Sequence, residues 1–337
     1  MEALLWESRD DDKVRCHLCC HRCIIKPEKR GNCGVRENRA GVLHTRVYGK
    51  VIARHIDPIE KKPLFHLYPG SRSYSIATVG CNFSCDFCQN ADIAQMPADR
   101  DGMIMGQDLS PGEVVAAAEK AGCQSIAYTY TEPTVYFEFA YDTARLAKES
   151  GIRNVFVTNG YMTAEAFEMV APFLDAANVD LKAFTNDFYK TYCGARLQPV
   201  KATLVRMKQA GVMVEVTTLI IPGLNDDPGL LKNLAHFLAA ELGRETPWHI
   251  SRFHPTYRLT DRGVTPEKTL AAARQIGIEA GLHHVYIGNV PGSDGESTAC
   301  AGCGRLVVER VGYQIRSHHL EGGKCTFCGT PVYGVGM

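Results

Sequence analysis

Three cysteines spaced C-x3-C-x2-C constrain this chain more than any other feature of its sequence. Cys81, Cys85 and Cys88 follow directly after an apolar, β-prone run from Tyr74 to Val79. Thiolates are the usual ligands of iron–sulfur clusters, and a cubic four-iron cluster takes four of them. A compact group of three holds three irons and leaves the fourth with an open position, as catalytic metal sites require. The alternative is a structural zinc site whose fourth ligand lies elsewhere in the chain.

A second group of cysteines lies near the N-terminus. Fourteen cysteines in a chain of 337 residues, which opens without the pattern of a secretory signal, indicate metal binding rather than disulfides. Zinc is the favoured occupant of the N-terminal group, and a second iron–sulfur cluster is the alternative. The predicted ligands are Cys16, Cys19 or in its place Cys20, Cys23 and Cys33.

A third group forms two C-x2-C pairs near the C-terminus, Cys300 with Cys303 and Cys325 with Cys328. Paired knuckles of this kind are typical of a zinc ribbon or of a rubredoxin-like iron site with four thiolates. So short a region needs a metal because its core is too small to be stable alone. A redox iron that relays electrons to the central cysteines is the alternative.

The charge balance excludes some classes of function. Lys plus Arg and Asp plus Glu each number 37, so no overall field attracts nucleic acid or an anionic membrane. No run of about 18 apolar residues predicts a membrane span. We therefore expect a cytoplasmic protein with neither membrane nor nucleic acid as a partner. A zinc-stabilised binding module is the second hypothesis, but the chain has no basic and aromatic stripe to support it.

Between residues 73 and 292, about seven β-prone runs alternate with helical patterns. This alternation predicts an α/β fold with a parallel sheet and right-handed crossovers. The cysteine-rich residues 1–72 and 293–337 are predicted to form separate regions on either side.

Local patterns predict two particular elements. Ser110 followed by Pro111 has the form of an N-cap and the first residue of a helix. Alternating residues from His44 to His55 predict a hairpin that turns at Gly49-Lys50.

The central cysteines, with Phe87 directly before the third of them, resemble the signature of the radical S-adenosylmethionine (SAM) superfamily. Residues 61–71, 80–83 and 88–90 are similar to the radical SAM enzyme of the AmmeMemoRadiSam system, a relative of the pyruvate formate-lyase activating enzymes. The resemblance covers essentially the whole chain. It implies a partial (β/α)6 TIM-like barrel, a Cys-rich N-terminal segment and a small C-terminal zinc-ribbon or rubredoxin-like domain. The active site is then expected at the C-terminal ends of the strands.

The resemblance also implies which residues bind SAM. Tyr130-Thr131-Glu132-Pro133 resembles the Gly-Gly-Glu-Pro motif, and Asp180-Leu181-Lys182 matches an Asp-x-Lys of the activating enzymes. The predicted cofactor-binding residues are Phe87, Thr131, Glu132, Asn159, Asp180, Lys182 and His254. Each role has a structural alternative: a first-turn helix acid at Glu132, a turn at Asn159, a salt bridge between Asp180 and Lys182, and a structural histidine at His254.

The implied activity is reductive cleavage of SAM at a 4Fe–4S cluster held by Cys81, Cys85 and Cys88. The resulting 5′-deoxyadenosyl radical abstracts a hydrogen from a substrate, which the activating enzymes suggest is a glycine of a partner protein. A small-molecule substrate is the alternative. The implied partners are SAM, an electron donor of flavodoxin or ferredoxin type, and Memo-like and AMMECR-like proteins.

Overall fold

We describe the protein from a computed structural model, which describes residues 1–290, 292 and 295–337. Short strands make up most of the regular structure before residue 60. They are β1 (Trp6–Ser8), β2 (Val14–Cys16), β3 (Ile24–Ile25), β4 (Arg36–Arg39), β5 (Val42–Thr45), β6 (Lys50–Val51) and β7 (Ala53–Pro58). Strands β1, β2 and β3 form a small sheet, and β4 pairs with β5. A 3-10 helix, Ile59–Lys61, follows β7.

The central part of the chain alternates between strands and helices. Its strands are β8 (Arg72–Ala77), β9 (Gln107–Asp108), β10 (Ser125–Tyr128), β11 (Arg153–Thr158), β12 (Ala176–Asp180), β13 (Met213–Ile220), β14 (Trp248–Arg252) and β15 (Val285–Gly288). Its α-helices are α1 (Ala91–Ala94), α2 (Met96–Asp99), α3 (Pro111–Lys120), α4 (Phe137–Glu149), α5 (Ala164–Val170), α6 (Asn186–Phe188), α7 (Leu197–Gln209), α8 (Pro228–Phe237) and α9 (Glu267–Glu279). Two 3-10 helices, Pro133–Tyr136 and Ala171–Phe173, and two π-helices, Tyr189–Cys193 and Leu238–Leu242, complete it.

One eight-stranded sheet positions the site. Its order is β15-β14-β13-β12-β11-β10-β8-β7, and every pair is parallel except β7 with β8. The mainly parallel sheet predicted from the alternation is therefore confirmed. Strands β15 and β7 are its two edges, so the C-terminal ends of seven parallel strands meet at one side. The partial (β/α)6 barrel stays a prediction.

Helix α3 begins as its sequence predicts. The Ser110 hydroxyl oxygen accepts a hydrogen bond from the Glu113 backbone N–H at 3.3 Å, and the Glu113 carboxylate accepts one from the Ser110 N–H at 2.7 Å. This capping box satisfies two backbone donors that the helix itself leaves free. Val114, Val115 and Ala118 then turn inward, which fixes the buried face of the helix.

The hairpin predicted over 44–55 is wrong. Strand β5 pairs with β4, β6 pairs with β9, and β7 pairs with β8. Alternation indicated the strand character of these residues correctly but carried no information about their partners. As a result, β7 becomes an edge of the central sheet although it lies within the predicted N-terminal region.

The C-terminal residues form a small antiparallel unit with its own core. Its strands are β16 (Thr298–Ala299), β17 (Leu306–Val311), β18 (Gln314–His318), β19 (Leu320–Glu321) and β20 (Lys324–Cys325). The backbones of Tyr68 and His66 exchange hydrogen bonds of 2.8 Å with Val335, which ties the unit to the rest of the protein. The predicted boundary at 292/293 adjoins residues 291, 293 and 294, which lie outside the described residues. None of the helices in the described part of the chain has the length and apolarity needed to cross a membrane.

Candidate functional site

A cavity of about 1010 Å³ opens where the parallel strands end. Strands β11 to β15 and the loops after β8 and β10 contribute to its wall. All of the residues predicted to act at the site line it: Cys81, Cys85, Cys88, Phe87, Thr131, Glu132, Asn159, Asp180, Lys182 and His254. Parallel strands bring their C-terminal ends to one edge, so residues as far apart in sequence as Cys81 and His254 meet there.

The cysteine loop lies at one side of this cavity. Two N–H groups point at the sulfur of Cys81: the backbone N–H of Phe83 at 3.4 Å and the side-chain amide of Asn159 at 3.7 Å. Burial raises the pKa of Cys88 to about 11 and that of Cys81 well above its usual value. Three thiols that face one cavity, one of them buried and two half-buried, fit a cationic iron–sulfur core, because the positive charge would stabilise their thiolates.

Cys193, a fully buried core residue, lies beside these cysteines. The proximity of its thiol, together with burial, raises the pKa of Cys85. The backbone carbonyl of Cys193 also accepts a hydrogen bond from the Ser84 N–H at 3.0 Å. Sequence spacing gave no signal for this proximity, because more than a hundred residues separate the two cysteines.

The Glu132 carboxylate is buried and fully hydrogen-bonded. One oxygen accepts bonds from the Thr134 N–H (3.0 Å), the Thr134 hydroxyl (2.6 Å) and the Thr158 hydroxyl (2.7 Å). The other oxygen accepts the backbone N–H of Asn159 at 2.8 Å. Burial raises the pKa of Glu132, and these donors oppose that rise. Glu132 therefore caps the 3-10 helix Pro133–Tyr136 and joins the ends of two neighbouring strands.

The two residues before Glu132 keep their backbone beside the cavity. Tyr130 has a φ of +62°, a left-handed conformation that glycine adopts readily and tyrosine rarely. Its carbonyl accepts a hydrogen bond of 2.8 Å from the Asn90 side chain. The Thr131 hydroxyl donates to the Thr78 carbonyl at 2.8 Å, which ties the end of β10 to that of β8.

Asp180 and Lys182 point to the same side of the chain at the end of β12. Lys182 Nζ lies 2.6 Å from Asp180 Oδ2, so the structural salt bridge exists on the cavity wall. Burial disfavours the charged form of Lys182, but Asp180 and the nearby Cys85 raise its pKa above the usual value. Both side chains keep some exposure, 33% for Asp180 and 17% for Lys182, so both remain accessible to a ligand.

Phe87 and His254 lie at different depths of the cavity. Phe87 is buried, with its ring 5.7 Å from that of Phe188. His254 is exposed beyond the end of β14. The aromatic ring thus supports the cysteine loop from behind, whereas the histidine lies at the open side.

Residues outside the predicted set of cluster and SAM ligands also shape the cavity. Lys62 Nζ lies 2.6 Å from Asp57 Oδ2 and 4.5 Å from the centre of the Tyr130 ring. The Tyr130 hydroxyl donates to the same carboxylate. His249 lies on the cavity wall, and its Nε2 is 2.6 Å from Oε2 of the fully buried Glu215 behind it.

The C-terminal unit also reaches the cavity, through Glu296, Gly312 and Tyr313. The sequence assigned this region a metal site alone. These contacts join segments that are far apart in the chain, and no local sequence pattern predicts them.

Four N-terminal cysteines line a second, small cavity. They are Cys16, Cys19, Cys23 and Cys33, with Arg36 beside them. The Cys20 thiol points away and donates to the Met162 carbonyl at 3.2 Å. Of the two alternatives that the sequence left open, Cys19 is thus the one that faces the group.

The C-terminal cysteines form the tightest group. The sulfurs of Cys300, Cys303, Cys325 and Cys328 all lie within 4.8 Å of one another, with Cys300–Cys328 at 3.6 Å and Cys303–Cys325 at 3.8 Å. A tetrahedral ion with metal–sulfur bonds of about 2.3 Å places its sulfurs about 3.8 Å apart. The group therefore fits a single tetrahedral metal ion, and zinc and iron are both compatible with it.

Comparison with known proteins identifies the central region. Residues 75–234 match the Radical SAM superfamily. An uncharacterized protein of Methanocaldococcus jannaschii is 49% identical over 333 residues, which cover 98% of both chains. The pyruvate formate-lyase-activating enzyme of Streptococcus mutans is 26% identical over 49% of this chain and 65% of its own.

A solved structure is similar in fold. A radical SAM methyltransferase from Sphaerobacter thermophilus superposes with a TM-score of 0.52 over 71% of each chain, at 21% identity. At this identity the likeness concerns the fold alone. Together with the matched region and the full-length relative, these findings establish that the chain belongs to the radical SAM superfamily, whose members use a 4Fe–4S cluster and SAM.

Proposed function

We propose that this protein is an activating-enzyme-like radical SAM enzyme that abstracts a hydrogen from a glycine of a partner protein. Cys81, Cys85 and Cys88 would hold the 4Fe–4S cluster. One observation carries the proposal: these three cysteines and all seven predicted SAM-binding residues line a single cavity at the C-terminal ends of the strands. Partial likeness to a pyruvate formate-lyase-activating enzyme supports the substrate class.

The residues around the cavity have separate tasks in this proposal. The rigidly held Glu132 and the Tyr130 and Thr131 backbone would receive the amino group of SAM. Asp180 and Lys182 present both charges to a ligand that is itself zwitterionic, and they would exchange part of their mutual salt bridge for contacts with it. His254, at the open side, would lie near the ribose and adenine.

When bound, the cluster and SAM supply the reductive cleavage and the radical. The protein's part is to position the reacting groups and to exclude water from them. A partial (β/α)6 barrel, as the resemblance implies, would serve this by surrounding the cavity.

The size of the cavity supports a substrate larger than SAM alone. Pockets for small molecules measure about 300–1,000 Å³, and this one, at about 1010 Å³, leaves room for a peptide segment beside SAM. Memo-like and AMMECR-like proteins of an AmmeMemoRadiSam system are the proposed partners, and a flavodoxin or ferredoxin the proposed electron donor.

A small-molecule substrate is the second candidate. It is favoured by Lys61 and Lys62 on the cavity wall, because two amines beside one shared carboxylate, Asp57, leave positive charge for an anionic substrate. The two candidates differ in what stimulates SAM cleavage: a glycine-containing partner in the first, a small anion in the second.

The test begins with anaerobic purification, reduction and addition of SAM. We expect 5′-deoxyadenosine and methionine from the wild type, and loss of both in Cys81→Ala, Cys85→Ala and Cys88→Ala. Cys123→Ala is the matched control, because Cys123 lies outside all three cysteine groups, and it should keep the activity. Zinc without iron, and no deoxyadenosine, would contradict the proposal and leave a zinc-stabilised binding module.

A second measurement addresses the hydrogen. With a candidate partner deuterated only at glycine, deuterium should appear in 5′-deoxyadenosine. Vigorous cleavage with no transfer from any partner, together with stimulation by a small anion, would favour the second candidate.

A further inference from the structure

The four cysteines of the N-terminal group surround one small cavity, and the two neighbouring histidines make their contacts elsewhere. Cys16, Cys19, Cys23 and Cys33 line it, with apolar side chains between them. His21 Nε2 is 2.7 Å from the Asn82 carbonyl, and His17 is engaged by Arg22 and Glu7. The ligand set is therefore four thiols.

The spread of these sulfurs distinguishes a cluster from a single ion. A tetrahedral ion needs its sulfurs about 3.8 Å apart, and the C-terminal group meets that condition within 4.8 Å. Among the residues that the structure describes, no other group of three or more His, Cys, Asp or Glu side chains comes so close together. The N-terminal sulfurs therefore lie further apart, as do those of Cys81, Cys85 and Cys88. A cubic cluster separates its thiolates because each binds a different iron.

The surroundings suit sulfurs that carry negative charge. The guanidinium of Arg36, only 1% exposed, donates to the Cys16 sulfur at 3.1 Å. Hydrogen bonds of this kind tune the reduction potentials of iron–sulfur clusters.

The N-terminal group packs directly against the central cysteine loop. Gly80, which precedes Cys81, has a φ of +98°, and a Cβ there would lie 3.0 Å from the Cys33 carbonyl oxygen and 2.6 Å from a Val35 methyl group. A side chain at this position would push the two segments apart. Glycine permits their close approach, and the His21–Asn82 contact holds them together.

We propose that Cys16, Cys19, Cys23 and Cys33 hold a second 4Fe–4S cluster, in place of the zinc that the sequence favours. Held there, the cluster would relay one electron from a low-potential donor of flavodoxin or ferredoxin type to the cluster that Cys81, Cys85 and Cys88 would hold. The donor would be oxidised and the central cluster reduced by one electron each. The transfer step rests on the proposed function, whereas the presence of the cluster does not.

Metal content of the full-length chain tests the cluster. The wild type, reconstituted without oxygen, should hold about eight irons, the content of two cubic clusters. The triple variant Cys81→Ala/Cys85→Ala/Cys88→Ala should keep about four, with a paramagnetic resonance signal on reduction. Adding Cys19→Ser and Cys33→Ser should remove that iron and signal. Adding Cys20→Ser instead, the matched control, should change neither.

A triple variant that contains zinc in the N-terminal group and no iron would overturn the proposal. Cleavage of SAM by the wild type would then still uphold the proposed function, so the two failures are distinguishable. For the transfer step, Cys19→Ser/Cys33→Ser should lose deoxyadenosine formation driven by reduced flavodoxin but keep that driven by dithionite. Equal loss of both activities would show a structural role only and overturn the transfer.

Discussion

Lys62 lies on the cavity wall, where burial and a neighbouring carboxylate shift its pKa in opposite directions. Its side chain is 2% exposed and contacts both the Asp57 carboxylate and the face of Tyr130. Burial lowers the pKa of Lys62 to about 8, although Asp57 opposes this shift. The wall therefore changes its charge near physiological pH, where an ordinary lysine would stay protonated.

This pKa shift makes the stability of the folded protein depend on pH in a direction that unfolding experiments can measure. Between about pH 8 and about pH 10, the unfolded chain keeps the Lys62 proton and the folded chain loses it. Stability rises with pH wherever the unfolded state binds more protons, so Lys62 adds a positive slope in this window. We expect the difference in melting temperature between wild type and Lys62→Met to move in favour of wild type as the pH rises. Lys61→Met, which removes the 44% exposed amine beside the same Asp57, should run parallel to wild type. Parallel curves for Lys62→Met as well would contradict the shifted pKa.

Glu132 shows how far a single residue can be interpreted from sequence. Both of its predicted roles are compatible with the structure, because its carboxylate caps a 3-10 helix and also lies on the cavity wall. The local pattern alone favours the helix acid, and the cysteine motif shifts the prediction to SAM binding. The choice depends on Thr158 and Asn159, which come from the next strand.

At the scale of elements, the C-terminal strands depend on the four cysteines around which they fold. Strands β16 to β20 are short, and a unit of this size gains much of its folding free energy from metal binding. We expect Cys303→Ser to lose one equivalent of metal and to lose amide-exchange protection across residues 298–325, while the central sheet keeps its protection. Metal analysis and hydrogen exchange measure the two effects. Cys123→Ser should alter neither, and unchanged metal content in Cys303→Ser would contradict the site.

Helices and strands could be predicted from the sequence where the local residue pattern agrees with the packing in the fold. The alternation between residues 73 and 292 gives the mainly parallel sheet that it predicts, and α3 starts at its predicted cap. The hairpin over 44–55 was not predictable, because the period of a strand fixes which face is buried but not which strand pairs with it. The residues that pair with β7 and β6 lie 14 or more positions further along the chain. At that separation no short turn motif indicates the pairing.

The site was predictable for a different reason. Once a parallel sheet is inferred, polar residues at successive strand ends must meet, as Glu132, Asn159 and Asp180 do. Wall residues from outside the repeating pattern, such as Glu296 and Tyr313, were missed. Their positions follow from tertiary packing alone.

At the scale of the whole molecule, Arg310 connects the C-terminal unit to the cavity. The side chain is 2% exposed, donates to the Phe65 carbonyl and the Thr298 hydroxyl at 2.7 Å each, and lies 3.7 Å from the Glu60 carboxylate. Its guanidinium also covers the Phe65 ring at 4.4 Å. Phe65 and Glu60 both line the cavity, so the position of the C-terminal unit and the shape of the wall are coupled.

Arg310→Met should therefore loosen one whole wall of the site. Removing one partner of a buried charged pair costs about 3 kcal/mol or more, because the carboxylate of Glu60 stays buried without its cation. We expect a lower melting temperature and faster amide exchange both in β17 and in residues 63–68, with the metal of the C-terminal group retained. Arg316→Met, at an exposed position of the neighbouring strand β18, is the matched control and should leave both unchanged. If amide exchange becomes faster in β17 alone, the C-terminal unit contacts the cavity wall without stabilising it, and the proposed coupling is wrong.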